Sequence, residues 1–290
     1  MKFDQLSDFH VEHSKPNCDL PGWEEGDAFL YPWDKKKQSD ILILNGDCSN
    51  SVKNTLLVVY EAAQYYENVL FTDGNHDHWC GSDDPSRYNV GNNMQAFRKF
   101  ARETENVHFL DGESEFVQDG TLFIGACGWY DFKMIEGYTF HQQYINWKKN
   151  WPDALYSVFG KKKPQHLAYQ HASLLSRQVL RAQEDDSIKE IVVTTHTVPH
   201  ELGLIQDQTH PWYYSNGAFG NSLMRWVWEA DFKHKIKVWT FGHTHFQYDF
   251  VDHGIRFLTN PRGYSSDKYK PRDVIQVDTE YGESAFGEVE

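Results

Sequence analysis

Cysteine is scarce in this chain: Cys18, Cys48, Cys80 and Cys127 are the four in 290 residues, and no two form a C-x-x-C pair. That excludes a disulfide-stapled scaffold and a thiolate zinc ribbon, and it fits reduced thiols in the cytosol. No apolar run approaches the ~18 residues that a membrane-spanning helix needs. The opening stretch, MKFDQLSDFHVE, carries acids where a secretory signal needs an apolar core, so a cytoplasmic protein without a membrane segment is expected. Basic charge is also in deficit, with a formal net charge of −14. A chain this acidic binds the nucleic-acid backbone poorly, so long duplex nucleic acid is not an expected partner. The runs Lys35–Lys37 and Lys161–Lys163 are the local exceptions and read as solvated loops. Internal repeats and low-complexity linkers are missing as well, which favours one domain over residues 1–290.

Histidine, by contrast, is abundant at fifteen. Five short apolar stretches hand over to His, Asp, Asn and Gly at their ends. FDQLS (3–7) leads to Asp8-Phe9-His10, ILILN (41–45) to Gly46-Asp47, and VLFT (69–72) to Gly74-Asn75-His76-Asp77. IVVTT (191–195) leads to His196, and VWTF (238–241) to Gly242-His243-Thr244-His245. Runs so rich in Val, Ile and Phe predict strands buried on both faces. In open α/β sheets, ligands bind beyond the carboxyl ends of the strands, so five such ends point to one shared site.

Helical spacing predicts helices over 51–67, 93–104, 167–184 and 219–230. A second set of strands, at 107–110, 122–126, 246–251, 255–259 and 273–277, alternates more, as half-exposed antiparallel strands do. The expected fold class is therefore α/β, with two packed sheets and helices outside. The aromatic and basic stretch 132–165 has weak periodicity and is expected to be a cap-like insertion overhanging the site. The long loop 198–218, with its His-Pro-Trp-Tyr-Tyr cluster, reads either as a lid or as a loop packed on its own aromatics.

Spacing and donor type carry the chemistry. Asp8 and His10, like His243 and His245, are two residues apart and point to one side if the backbone stays extended. Two Asp, one Asn and four His make a carboxylate and imidazole set that suits Mn, Fe or Zn. Seven donors exceed a tetrahedral zinc and suit two divalent cations with a bridging group, for which Asp47, alone at its strand end, is the natural choice.

Taken together, D-x-H, GD, GNHD, a lone His and G-H-x-H resemble the motif set of the calcineurin-like metallophosphoesterases, in order across residues 8–245. The resemblance implies a two-sheet, four-layer αββα sandwich. It also implies a first metal held by Asp8, His10 and His245, a second held by Asn75, His196 and His243, and Asp47 between them. It further implies hydrolysis of a P–O bond by a metal-bridging hydroxide, with manganese foremost and iron or zinc as alternatives. His76 would contact a phosphate oxygen or protonate the leaving group, with Asp77 orienting it. The later NPRGY (260–264) is similar to the tail of a bacterial and phage branch of phosphohydrolases. The literal motif set resembles class III cyclic-nucleotide phosphodiesterases, which favours a small phosphodiester, such as a cyclic nucleotide, over a monoester. A phosphomonoesterase, a nucleotide pyrophosphatase and a non-catalytic scaffold on the same fold are the alternatives. Residues 46–51 read GDCSNS, without the acid and arginine of Ser/Thr protein phosphatases, and Asn50 stands where purple acid phosphatases carry a tyrosine.

Outside the motifs, Arg262 could grip a phosphate bidentately or fasten its own loop. His200 and Trp212, beside the aromatic loop, are candidate substrate contacts, and Trp147 and Trp151 could stack on a base. His13, His78, His108, His141, His166, His171, His234 and His253 read as ordinary surface or core histidines.

Overall fold

The computed structural model describes residues 1–13, 31–79, 89–159, 163–264 and 273–280. Among them are eleven strands: β1 Lys2–Leu6, β2 Ile41–Asn45, β3 Asn68–Thr72, β4 Val107–Phe109, β5 Glu115–Gln118, β6 Thr121–Ala126, β7 Glu190–Thr195, β8 Ile236–Thr240, β9 Tyr248–Asp252, β10 Ile255–Thr259 and β11 Ile275–Asp278. They form two mixed sheets, one in the order β11-β1-β2-β3-β4 and one in the order β5-β6-β7-β8-β10-β9. The helices are α1 Trp33–Lys36, α2 Val52–Ala63, α3 Val90–Glu103, α4 Phe140–Asn150, α5 Asp153–Tyr156, α6 Pro164–Glu184 and α7 Arg225–Glu229.

The run ILILN shows why the apolar stretches do not alternate. Ile41 and Ile43 join Phe3, Leu70, Phe123, Val192 and Val238 in a layer between the two sheets. Leu42 and Leu44 point the other way, to a layer shared with Val58 and Val59 of α2 and Phe97 of α3. Successive side chains of a strand face opposite sides, so a strand between two apolar layers must be apolar at every position. The second sheet repeats the arrangement, with Ile124, Val193 and Trp239 packed on Ala172, Leu175 and Val179 of α6. A fully buried position such as Ile43 would cost about 2–5 kcal/mol on truncation to Ala. Local chemistry starts the helices: Ser51 caps α2 through the Asn54 amide, Thr139 and Gln142 form a capping box on α4, and Pro164 opens α6.

The second strand set departs from expectation. β4 pairs parallel with β3, and β6 pairs parallel with β7 and is buried along its whole length. Residues 122–126 lie inside their sheet, with α6 on one face and the other sheet on the opposite face, so they are not half-exposed. β9 does alternate and pairs antiparallel with β10 at an edge. The helix expected over 219–230 is a 3₁₀ turn, Ser222–Met224, followed by the short α7. Strand β5, at the opposite edge, was not anticipated.

Of the lysine runs, Lys36 pairs with Asp273 and Lys37 with Asp40, while Lys161 and Lys162 lie outside the described residues. Cys48 and Cys127 are buried free thiols, and Cys18 and Cys80 also lie outside the described residues. Among the described residues no helix is long and apolar enough to cross a membrane.

One polar clasp ties the two sheets together at their carboxyl ends. The Asn45 amide nitrogen, at the end of β2, shares its two hydrogens among the Thr194 hydroxyl, the Thr195 carbonyl at 3.0 Å and the Thr240 hydroxyl at 2.9 Å. It thereby brings the ends of β7 and β8 over the end of β2, where the polar side chains gather.

Candidate metal centre

All seven expected donors come together. His10 Nε2 lies 3.0 Å from His245 Nε2, which in turn lies 3.6 Å from Asp8 Oδ1. In the second group, His196 Nε2 lies 3.1 Å from His243 Nδ1 and 2.9 Å from Asn75 Oδ1. Asp47 stands between the groups. Its Oδ2 is 3.3 Å from His196 Nε2 and 3.7 Å from His10 Nε2. Its Oδ1 is taken by the His76 backbone amide at 2.9 Å, so one oxygen is left to face both groups.

The backbone reaches this arrangement by a route that differs from the expected extended one. Asp8, His10, Asp47, His243 and His245 all have positive φ, from 43° at His10 to 79° at His243. Left-handed backbone at residues other than Gly costs about 1–2 kcal/mol each, although Asp, Asn and His tolerate it best. Tight left-handed turns, not strand geometry, aim Asp8 and His10 together at the first group and split His243 and His245 between the two groups. The loops also interlock: Asp8 N donates to Gly46 O at 3.1 Å, and His10 N to Asp47 O at 2.9 Å. A side chain on Gly46 would meet the Gly74 amide at 2.5 Å, and one on Gly74 would overlap Asp47, so these two turns require glycine.

The protonation chemistry fits cations. A metal-binding imidazole must be neutral, with its other nitrogen donating to an oxygen. His196 Nδ1 donates to the Asn45 carbonyl at 2.7 Å, which leaves Nε2 as the lone-pair nitrogen facing Asp47 and Asn75. His243 does the reverse: its Nε2 donates to the Ala218 carbonyl at 3.0 Å, freeing Nδ1. The Glu12 carboxylate lies 3.5 Å from His10 Nδ1. Burial, reinforced by neighbouring imidazoles, drives the pKa of His76 and His243 well below the usual range, so both are neutral. Burial likewise pushes the Asp47 carboxyl up, against the pull of His196. His196 is the exception: burial opposes its charge, but Asp47 beside it raises its pKa to about 10, so without a cation its Nε2 also holds a proton, which a bound cation would displace to free the lone pair. Asp8 Oδ2 is buried without a hydrogen bond. A buried carboxylate with an unused oxygen, beside imidazoles whose lone pairs converge, is a donor set that divalent cations satisfy.

His76 lies beside Asp47, with its Nε2 4.0 Å from Oδ2. Its expected partner is not Asp77. The Asp77 carboxylate accepts the amides of Asp47 at 2.9 Å, Gly74 at 2.7 Å and Ser49 at 3.2 Å, and the Thr55 hydroxyl at 2.5 Å. It braces the two loops and has no oxygen to spare for the ring. The His76 ring is held instead by Asn50, whose Oδ1 lies 2.6 Å from Nδ1, and by Trp79 stacked at 3.6 Å between centroids.

Two of the expected substrate contacts lie elsewhere. The Arg262 guanidinium sits over the rings of Phe9 and Tyr31, 5.1 Å from each centroid, and its backbone amide donates to Ser7 O, so it fastens its loop. His200 bonds Asp252 at 2.9 Å amid Trp228, Phe250 and Phe257. Trp212 lies nearer the site. It is half exposed and meets Trp151 edge-on at 5.8 Å, and Trp151 in turn packs against His243. Trp147 is buried and donates to the Tyr130 hydroxyl.

Sequence reasoning missed Asn45, Asn50, Asp153 and Tyr264. Tyr264 packs 4.4 Å from the His10 ring and 4.5 Å from His245, and its hydroxyl is 3.3 Å from His76 Nε2. The NPRGY stretch drew attention to its arginine, while the tyrosine two residues later is the one that reaches the site.

Comparison with known proteins agrees with this geometry. The chain is 24% identical over 292 residues to the uncharacterised protein L509 of Acanthamoeba polyphaga mimivirus, covering 94% of this chain and 95% of that one. Its fold is similar to that of phosphopantetheinyl hydrolase (PptH) from Mycobacterium tuberculosis, with a TM-score of 0.68 at 17% identity, covering 97% and 98% of the two chains. A dimetal phosphatase from Danio rerio is more distant, at 13% identity and a TM-score of 0.48, covering 89% and 86%. The family model described as calcineurin-like phosphoesterase matches residues 1–247, a span that contains every one of the seven donors. The chain thus belongs to the calcineurin-like phosphoesterase family, whose members depend on a dinuclear metal centre, and it is a metal-dependent hydrolase of phosphate esters.

Proposed function

We propose that the protein hydrolyses a small phosphodiester at a centre of two divalent cations, with Asp8, His10 and His245 holding one and Asn75, His196 and His243 the other. The observation that carries this reading is the single Asp47 oxygen facing both imidazole groups, at 3.3 Å from His196 and 3.7 Å from His10. When bound, such cations supply an activated water and Lewis-acid neutralisation of the phosphate oxygens. Manganese suits the mixed carboxylate, amide and imidazole set best, with iron or zinc as alternatives.

The chain's own groups divide the remaining work. With Nδ1 against Asn50 Oδ1, the His76 ring turns Nε2 toward Asp47 and the Tyr264 hydroxyl. In the neutral ring Nε2 is a lone pair; beside the arriving phosphate anion it takes up a proton, and it then contacts a phosphate oxygen or returns that proton to the leaving oxygen. A diester carries one negative charge where a monoester carries about two. The guanidinium that could have matched the second charge is engaged with Phe9 and Tyr31, which supports the diester. Trp151 against His243, with the half-exposed Trp212 edge-on to it, supports a substrate with an aromatic group such as a nucleobase. We take segment 132–165, which carries Trp147 and Trp151, as the overhang on that side.

Turnover of bis(p-nitrophenyl) phosphate against p-nitrophenyl phosphate, with manganese, iron or zinc added, tests the proposal. Faster hydrolysis of the diester is expected. Preference for the monoester would overturn the diester reading in favour of a phosphomonoesterase. Turnover of neither, with two cations bound, would favour a scaffold. A panel of cyclic nucleotides, dinucleotide pyrophosphates and a phosphopantetheinyl conjugate then narrows the natural substrate.

A further inference from the structure

Asn75 is the one amide among the seven donors, and its side chain could turn the wrong end to a cation. Its amide presents an oxygen on one side and an NH₂ on the other, and the two ends have nearly the same shape. Only the hydrogen bonds around it decide which faces inward. Asn75 Nδ2 donates to Asp153 Oδ1 at 2.9 Å, and this turns Oδ1 toward His196. The Asp153 side chain is fully buried and accepts four donors. Its Oδ1 takes Asn75 and the Trp79 indole at 2.7 Å. Its Oδ2 takes the Tyr130 hydroxyl at 2.8 Å and the Trp151 indole at 3.1 Å. A carboxylate is acceptor-only, so it cannot satisfy a flipped Asn75, whose oxygen would face it. The same oxygen holds Trp79, whose ring stacks on His76 at 3.6 Å.

We infer that Asp153 is a positioning residue: by accepting the Asn75 and Trp79 donors together, it presents the Asn75 oxygen to the second cation and sets the His76 ring beside it. The inference rests on the two-cation reading above. Asp153 starts α5, far in sequence from the GNHD turn, and no motif names it.

Manganese binding to the purified chain, followed by titration calorimetry and by electron paramagnetic resonance, is the test. Wild type is expected to bind two Mn²⁺ and give an exchange-coupled spectrum. D153N replaces one acceptor by a donor. It is expected to weaken the second cation about 10–100-fold while the first is retained, giving an uncoupled six-line spectrum. Y130F also removes one donor to the same carboxylate, but it leaves the Asn75 bond intact and is expected to keep both cations. A D153N protein that binds two Mn²⁺ as wild type does would overturn the inference alone. Wild type binding fewer than two would overturn the two-cation reading and the inference with it. Should D153N not fold, wild type suffices. With ¹⁵N-asparagine labelling, and N75A to assign the signals, the Asn75 side-chain NH₂ should exchange slowly with solvent. Rapid exchange would overturn the inference.

Discussion

Among the described residues, two regions gather histidine and aspartate closely enough to grip an ion, and one of the two has the chemistry to do so. In the first, His196 and His243 each give one nitrogen to a backbone carbonyl and turn the other, as a lone pair, toward their neighbours. The second is His200, Asp252 and His253, whose candidate donor atoms lie within 4.8 Å of one another. They line a cavity of about 1280 Å³ that includes none of the seven donors of the first region. There, His200 Nδ1 accepts the Leu202 amide at 3.2 Å. A neutral imidazole with an accepting Nδ1 carries its proton on Nε2, the nitrogen that faces Asp252 at 2.9 Å. The result is a hydrogen bond that secures a loop, with no lone pair left for a cation. Composition and proximity are alike in the two regions. What differs is whether a carbonyl or an amide stands behind the ring.

The comparison can be broken in several ways. The largest effect is expected from Asp47→Asn, which removes the shared carboxylate. Both cations and activity should fall together, activity to the assay background, since cation-based charge stabilisation is worth several kcal/mol. Metal analysis alongside turnover checks this, and full metal content in an inactive protein would contradict it. His76→Ala should keep both cations and lose about 10²–10⁴ in kcat, the usual size of a proton-transfer contribution. Wild-type turnover in that variant would remove His76 from the mechanism. His200→Ala, by contrast, should leave cation count and kcat unchanged and lower stability by about 1–3 kcal/mol, through the unpaired Leu202 amide and Asp252. Denaturant titration measures that loss, and a lost cation in His200→Ala would erase the distinction between the regions.

A smaller effect concerns pH. Burial lowers the His200 pKa, although Asp252 opposes the shift. A histidine with a lowered folded-state pKa favours the folded chain while it is neutral. That contribution is complete above the unfolded value of about 6.5 and is lost as pH falls through the lowered folded value. Wild type should therefore lose more stability than His200→Gln between about pH 7.5 and about pH 5. Parallel curves would mean that His200 does not titrate with folding. The finest test leaves the protein unaltered: with zinc bound, ¹⁵N chemical shifts should report His196 with its one proton on Nδ1, and His200 with its proton on Nε2.

The motifs made the seven donors legible because each sits just beyond an apolar run, and a run without alternation marks a doubly covered strand. Their supports were not legible. Asn45, Asn50 and Asp153 act across 26 residues or more of chain, on His196, His76 and Asn75 respectively. Nothing local marks an asparagine that will meet a distant ring. Asp77 was misread for a related reason. Sequence adjacency suggested His76, but the turn directs its carboxylate at the amides of Asp47, Gly74 and Ser49. For Arg262, chemistry alone left a phosphate ligand and a loop fastener both open, and its packing on Phe9 and Tyr31, which decides for the second, depends on which side of the loop faces the core.

By itself, the order of residues determined the layers, the strand ends and the choice of candidate donors, because apolar periodicity and ligand type are local properties. The tertiary structure alone decided which imidazole nitrogen holds a proton, which end of Asn75 faces inward, and that His200 stays outside the centre. Those outcomes depend on a carbonyl, an amide or a carboxylate brought from elsewhere in the chain to within about 3 Å, the reach of a hydrogen bond.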